Sequence, residues 1–239
     1  MFAFDFGEQP ESNKQEAVKR EVAPGFKVEF TREQLEEKVQ LVAQVVASKK
    51  SQLYRRCVTD VNFQIAQNEE MDGILAKSIQ QSSDLITGEY EGGIKTWECS
   101  IDLLEYLENN TDIVNGKKVI ELGCGSALPG IFCLEAGAKF VSFQDYNESV
   151  IRLVTAPNVV LNTTHVQTEF DAYGCFEHEM TMNSPALNMV DFYAGDWANL
   201  LFIEQKYDVI LTSETIYEAE SIPSLLELIK KLLAPNGAA

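Results

Sequence analysis

The residues able to do chemistry sit where apolar runs end. Val119-Ile-Glu-Leu-Gly-Cys-Gly-Ser-Ala-Leu-Pro-Gly130 joins an apolar strand to a glycine-rich turn and then a helix, with Glu121 inside the strand. Gly123 and Gly125 remove side chains where backbone must lie against a ligand. Cys124 lies between them, with no neighbour that marks it as a nucleophile. The helix that follows presents free N–H groups at its start. This arrangement holds a nucleotide-like cofactor at the carboxyl end of a parallel strand. Asp145 ends a second apolar run at about 20 residues from the glycines, the spacing of an acid that grips ribose hydroxyls. Tyr146 and Asn147 can flank the adenosine, and Asp145 can alternatively cap the next helix. Gly195-Asp196-Trp197 ends a third run. Asp196 can accept an adenine amino group and Trp197 can cover the ring, or the pair can be a capping Asp beside a core Trp. Ser213-Glu214-Thr215-Ile216-Tyr217 ends a fourth run. There Glu214 can orient or deprotonate a nucleophile, or simply cap a helix, and Tyr217 can shape an acceptor channel. Trp97-Glu98-Cys99-Ser100 precedes the first core strand and can fold over the cofactor, unless Trp97 only buries a helix start.

The glycine spacing discriminates between cofactors. A dinucleotide site uses GxGxxG to seat a pyrophosphate on the helix end. Here Gly123-Cys-Gly125 is followed by Ala127-Leu-Pro-Gly130. S-adenosylmethionine carries no phosphate and needs backbone for its carboxylate and polar partners for its amino group. It is the expected cofactor, and a nicotinamide-dependent oxidoreductase is disfavoured.

The elements that must position these residues alternate. Strands are expected over 117–122, 140–144, 190–194 and 207–211. Helices are expected over 100–107, 127–136, 149–162 and 222–233, with Pro157 kinking or shortening the third. Alternating strands and helices predict an α/β, doubly wound, mostly parallel sheet. Residues 163–188 read as an irregular surface insertion that holds both histidines, His165 and His178. Upstream, Thr31 and Gln34 resemble a capping box. Leu35, Val39, Val42 and Val46 recur at helical spacing, which predicts a helix to about residue 50. Residues 1–30 read as a mobile tail, with Phe2, Phe4 and Phe6 as a short strand or docking motif, and 31–80 as a helical extension. Pro235-Asn-Gly237 reads as a turn after which only two alanines follow, leaving the strand from Tyr207 with an unpaired edge.

Composition bounds the partners. The 239 residues are 45% hydrophobic and carry a formal net charge of −18. Such a field repels nucleic acid and attracts basic proteins, or confers solubility alone. Five scattered cysteines, with no CxxC, and two histidines predict neither a disulfide framework nor a metal site. No apolar run has transmembrane length and no secretory signal is evident, so a reducing compartment is expected.

The segment Ser83-Asp-Leu-Ile-Thr-Gly-Glu-Tyr-Glu-Gly-Gly-Ile-Lys-Thr-Trp-Glu-Cys-Ser-Ile-Asp-Leu-Leu104 closely resembles the eukaryotic protein-histidine methyltransferases of the methyltransferase-like class. So do Phe143-Gln-Asp-Tyr-Asn147, Ala156-Pro-Asn-Val159 and Leu211-Thr-Ser-Glu-Thr-Ile-Tyr217. The similarity covers roughly residues 80–235, which marks 81–239 as the methyltransferase domain. The resemblance implies a Rossmann-like seven-stranded domain that binds S-adenosylmethionine. It implies methyl transfer to the tele nitrogen of one histidine in a large-subunit ribosomal protein, in the cytoplasm and the nucleus or nucleolus. It implies cofactor contacts from Thr96, Trp97, Glu98, Cys99, Ser100, Gly123, Asp145, Tyr146, Asn147, Gly195, Asp196, Trp197 and Ser213, to which the Glu-Leu-Gly-Cys-Gly motif itself adds Glu121, Cys124 and Gly125. Glu214 and Tyr217 match an acid-x-x-Tyr signature and are the expected catalytic pair. Family members continue past the Pro-Asn-Gly turn with further strands, so the sheet is expected to be incomplete at the C-terminus. A monomer without membrane or nucleic-acid partners is expected. The alternatives are a protein-lysine methyltransferase of the same fold and a non-catalytic short form.

Overall fold

A computed structural model describes residues 22–67, 73, 77, 85, 86, 89–164 and 169–239. The Phe2, Phe4 and Phe6 alternation, Ser83, Gly88 and His165 lie outside the described residues. The chain enters through β1 (Phe26–Val28), α1 (Arg32–Glu36), β2 (Lys38–Ala47), β3 (Gln52–Arg56) and α2 (Val58–Gln67). The α/β part follows as α3 (Glu98–Asn109), β4 (Lys118–Leu122), α4 (Leu128–Glu135), β5 (Phe140–Asp145) and α5 (Ala156–Thr163). It continues with β6 (Cys175–Thr181), β7 (Val190–Ala194), β8 (Tyr207–Thr212), α6 (Ile222–Leu232) and β9 (Leu233–Ala238).

The main sheet has the order β1-β7-β5-β4-β8-β9. All its neighbours pair in parallel except β1, which runs antiparallel to β7. The architecture is thus the expected doubly wound α/β one. Successive residues of β4 serve opposite faces: Val119 packs with α3, α4 and α5, whereas Ile120 and Leu122 pack with α6. With both faces covered, Val119, Ile120 and Leu122 are apolar whichever face they serve, and buried Glu121 is the exception. On α6, Leu225, Leu228 and Leu232 form one buried stripe. Each such side chain contributes about 2 kcal/mol when fully buried.

A second, antiparallel sheet has the order β3-β2-β6. The far side of β3 is met by side chains of α5 in place of a strand. The Arg56 amide donates to Asn158 Oδ1 and the Tyr54 amide to Asn162 Oδ1, both at 2.7 Å. Asn162 Nδ2 donates in return to the Tyr54 carbonyl at 2.7 Å. Two asparagines one helical turn apart thus satisfy backbone groups of an edge that pairs with no second strand among the described residues.

Four expectations change. The capping box at Thr31 and Gln34 forms, but its helix ends at Glu36, and 38–47 is a strand. The valines that mimic a helical stripe are β-branched, and pairing on both sides of β2 outweighs their spacing. Within the expected tail, Phe26–Val28 adds to the main sheet beside β7. Within the expected irregular insertion, Cys175–Thr181 is β6, with Phe176 and Met180 buried. The strand from Tyr207 does not end the sheet. Leu233–Ala238 pairs with it in parallel across a register shift, with Asn236 at φ 65. Pro235-Asn-Gly237 therefore makes an irregular strand and not a reversing turn. Helical backbone runs from Glu148 to Thr163, with a π-helical stretch, Ile151–Thr155, just before Pro157; the Leu153 carbonyl, which Pro157 cannot serve, accepts from Arg56 Nη1 at 2.9 Å.

Candidate active site

The carboxyl ends of β4, β5, β7 and β8 surround a cleft of about 730 Å³ that opens to solvent. Its floor is the loop after β4. Gly123, Gly125 and Ala127 all adopt left-handed backbone, at φ 65, 48 and 61. The space over Gly123 is taken by Thr215, since a Cβ there would lie 2.5 Å from Thr215 Cγ2. One over Gly125 would lie 3.0 Å from the Gly93 carbonyl oxygen. Glycine is required at both positions by conformation and by close approach.

Of the residues expected at the site, Trp97, Ser100, Gly123, Cys124, Gly125, Asp145, Tyr146, Gly195, Asp196, Trp197, Ser213, Glu214 and Tyr217 line this cleft. Thr96, Glu98, Cys99, Glu121 and Asn147 do not. Glu121 is fully buried beneath the floor, where its Oε2 accepts the Gly130 N–H at 2.8 Å and fastens the start of α4. Burial pushes its pKa up to about 8. Asn147 is buried beside the cleft, accepting the Glu91 N–H at 3.1 Å and donating to the Glu89 carbonyl at 2.7 Å. It shapes the 89–91 loop. Thr96 donates to Ser126 Oγ at 2.9 Å. Glu98 and Cys99 are exposed on the first turn of α3. The Cys99 thiol is raised above its ordinary pKa, first of all by its hydrogen bond to the Glu214 carboxylate.

The acids at the strand ends have defined partners. Asp145 accepts the Gly125 N–H at 2.9 Å on Oδ2 and the Asn147 N–H at 3.2 Å on Oδ1. Burial lifts its pKa to about 6 against the pull of these amides. A carboxylate has lone pairs for further donors, so these bonds leave acceptor capacity for hydroxyls. Asp196 caps the short turn after β7 by accepting the Ala198 N–H at 2.9 Å, the capping role weighed for it. Trp197 is half-buried, and its indole N–H donates to Gln144 Oε1 at 2.9 Å. Trp97 donates its indole N–H to the Gly92 carbonyl at 3.2 Å, and the Lys95 ammonium lies 5.1 Å from its ring centre.

On the opposite wall, Ser213 and Ser100 share a hydrogen bond at 3.0 Å, tying the loop after β8 to the start of α3. Glu214 stands next on that loop with left-handed backbone, φ 55, and an exposed side chain. Strain of this kind in a non-glycine residue persists only where its surroundings enforce it. The Tyr217 hydroxyl donates to Glu91 Oε2 across the mouth. Burial, and then this bond, raise the Tyr217 pKa.

Several lining residues were not singled out from the sequence: Glu91, Lys95, Ser126, Gln144, Thr215, Glu218 and Ser221. Gln144 matters most among these. Its Oε1 also accepts the Gly123 N–H at 3.2 Å, and its Nε2 donates to the Gly195 carbonyl at 3.0 Å. It therefore links the ends of β4, β5 and β7. Its signal was a polar residue closing the apolar run Phe140-Val-Ser-Phe, one position before the acid.

The lining fits a cationic, adenosine-bearing ligand. Glu91, Asp145, Asp196, Glu214 and Glu218 face a single lysine, Lys95, among the lining residues. Tyr146 and Trp197 offer aromatic walls beside a glycine floor. An excess of carboxylates suits a sulfonium and an ammonium, and is wrong for a pyrophosphate. Fold and cleft together are those of a Rossmann-like domain of the S-adenosylmethionine-dependent methyltransferase class. A family model described as a methyltransferase domain matches residues 98–239, and the chain belongs to that family.

Among relatives, the bovine histidine protein methyltransferase 1 homolog is 41% identical over 182 residues, covering 72% of this chain and 49% of that protein. Histidine protein methyltransferase 1 of Schizosaccharomyces pombe is 33% identical over 204 residues, covering 74% and 60%. A protein N-terminal and lysine N-methyltransferase of Yarrowia lipolytica is 29% identical over 151 residues, covering 59% and 52%. The chain spans about half the length of the curated relatives it matches.

Proposed function

We propose that this chain acts as a protein-histidine N-methyltransferase, transferring a methyl group to the tele nitrogen of a histidine in a large-subunit ribosomal protein. The observation that carries the reading is the placement of Glu214 and Tyr217 at the mouth of the glycine-floored cleft. The likeness to histidine protein methyltransferases supports histidine as the acceptor. When bound, S-adenosylmethionine supplies an electrophilic methyl group on a positively charged sulfur.

The chain's own residues then have four tasks. Asp145 and Asp196 would hold the polar groups of the cofactor, and Gly123 and Gly125 keep the floor beneath it clear of side chains. Ser213, tied to Ser100, fixes the wall nearest the acceptor. Glu214 accepts the N–H of the imidazole nitrogen that does not react. A neutral imidazole is already nucleophilic near neutral pH, so selecting the tautomer and aligning the ring are the main demands. Tyr217, held by Glu91, narrows the approach. The net charge of −18 complements a basic ribosomal protein. Cytoplasmic and nuclear residence accords with such a substrate.

The test is methylation of purified ribosomal proteins, with the modified residue located by mass spectrometry and the ring nitrogen assigned by NMR. Glu214→Gln is expected to lower kcat by about 100-fold or more while cofactor binding persists. An unchanged kcat removes Glu214 from this role, and methyl groups found on lysine alone favour the lysine reading.

A further inference from the structure

We infer that residues 22–28 form a strap that holds the adenosine end of the cleft in shape, with Ala23 and Gly25 as positioning residues for cofactor binding. The inference rests on reading the cleft as a cofactor site, and adds a wall to it from a distant part of the chain.

The strap crosses the outside of Gly195-Asp196, directly behind the cleft lining. The Asp196 amide donates to the Ala23 carbonyl at 3.3 Å, and Asn199 Nδ2 donates to the same oxygen at 2.7 Å. The Ala23 amide donates to the Tyr146 hydroxyl at 3.3 Å. Three residues gathered by one alanine backbone therefore include two that line the adenosine end, Asp196 and Tyr146.

The crossing is as close as backbone allows. Gly195 has φ 112, and a Cβ on it would fall 2.1 Å from the Pro24 carbonyl oxygen. A Cβ on Gly25 would fall 2.3 Å from the Asn199 carbonyl oxygen. Two glycines thus interlock, one from each segment. Below the crossing the strap becomes β1, in register with β7 from Phe26↔Ala194 to Val28↔Phe192. Further on, Phe30 packs edge-on against Phe192.

From the cleft side, Gly195 is held by different partners. Its N–H is shared between the Asp145 and Tyr146 carbonyls, each at 3.1 Å, and its carbonyl accepts from Gln144. The Gly195-Asp196 turn is thus clamped between the ends of β5 within and the strap without. Losing the outer clamp removes one hydrogen bond from the Asp196 amide and one from the Tyr146 hydroxyl together, and a cofactor must then restore their alignment on binding. Linkage makes the effect reciprocal: if the docked strap strengthens cofactor binding, bound cofactor strengthens strap docking by the same factor.

The experiment measures binding of S-adenosylhomocysteine by calorimetry to the unmodified chain, to Asn199→Ala and to Gly25→Ala. Asn199→Ala, which removes one exposed side-chain hydrogen bond, is expected to weaken binding about fivefold. Gly25→Ala, which forces the strap off its backbone neighbour, is expected to weaken it by about tenfold or more. In turnover, KM for S-adenosylmethionine should rise in both while kcat at saturating cofactor stays unchanged. On the unmodified chain, saturating S-adenosylhomocysteine should slow hydrogen exchange at the 26–28 amides. This last measurement needs no variant to fold. Wild-type affinity in both variants, or exchange at 26–28 indifferent to the ligand, overturns the strap. Failure of the unmodified chain to bind S-adenosylhomocysteine overturns the cofactor-site reading, and the strap with it.

Discussion

Glu121→Gln tests the physics beneath the cleft floor. Burial raises the Glu121 carboxyl from 4.5 to about 8, the Gly130 N–H opposes that rise, and the nearby Asp145 adds to it. In the unfolded chain the group returns to its ordinary value. Between pH 4.5 and about 8 the folded protein keeps a proton that the unfolded chain has lost. The stability gained from the protonated folded form is fully present below the unfolded value, and is lost as the pH rises through the folded one. At about 1.4 kcal/mol per pH unit, this interval sets a ceiling of about 5 kcal/mol. A glutamine has no proton to lose, and its amide oxygen can still accept the Gly130 N–H. Its additional N–H costs about 1–3 kcal/mol if it stays unpaired. The variant should therefore be somewhat less stable than its parent in mild acid and more stable above the folded pKa. Urea unfolding across this pH range reads the effect as the difference between the two stability curves. Asp145, raised by burial from 3.8 to about 6, slopes the same way in both proteins and largely drops out of that difference. Parallel curves would refute the reasoning, because a carboxyl that ionises equally in both states contributes no pH dependence.

Other perturbations separate the cleft from the scaffold. Gly123→Ala puts a methyl group against Thr215 on left-handed backbone, and calorimetry should show cofactor binding weakened by about tenfold or more with the fold retained. Asn158→Ala leaves the buried Arg56 amide without its acceptor, and chemical denaturation should show a loss of about 1–3 kcal/mol. The −18 charge predicts that association with a basic protein substrate slows steeply as salt rises, in stopped-flow measurements with the cofactor saturating. An association rate indifferent to salt would remove steering from the account.

Much of the α/β core was legible because its signals are local. The strands β4, β5, β7 and β8 are apolar runs ended by glycines or acids, and each was found to within a residue or two. What was misread depends on distant partners. Val39, Val42 and Val46 fit a helical stripe as well as a strand, and only the pairing of β2 with β3 and β6 decides. In β6, Glu177 and Glu179 face outward, while half-buried His178, on the inner face between buried Phe176 and Met180, is a polar type that hides the alternation. Leu233–Ala238 contains Pro, Asn and Gly, whose propensities describe a turn, yet β8 offers it an edge. The same division holds in the cleft. Glycines and terminal acids announce themselves by type, so most lining residues could be named. Glu121 could not be separated from the lining by sequence, because pointing beneath a floor and pointing into it differ by one residue of strand alternation.

The two sheets share a feature with a consequence for how the chain is made. β2 can form a hairpin with β3 soon after synthesis, yet its other side pairs with β6, complete only at Thr181. β1 waits longer still, until β7 is finished at Ala194. Pairings this remote in sequence are slow, since loop closure must precede any gain from contact. Until β6 has been synthesised, Val39-Gln-Leu-Val-Ala-Gln-Val-Val46 therefore offers an open strand rich in β-branched residues. Segments of this kind invite pairing between chains. Lys38 at one end, with Lys49 and Lys50 just past the other, supplies flanking charge that discourages it. Exchanging these lysines for apolar residues would tax the nascent chain more than the finished protein, and would be read in soluble yield before it is read in melting temperature.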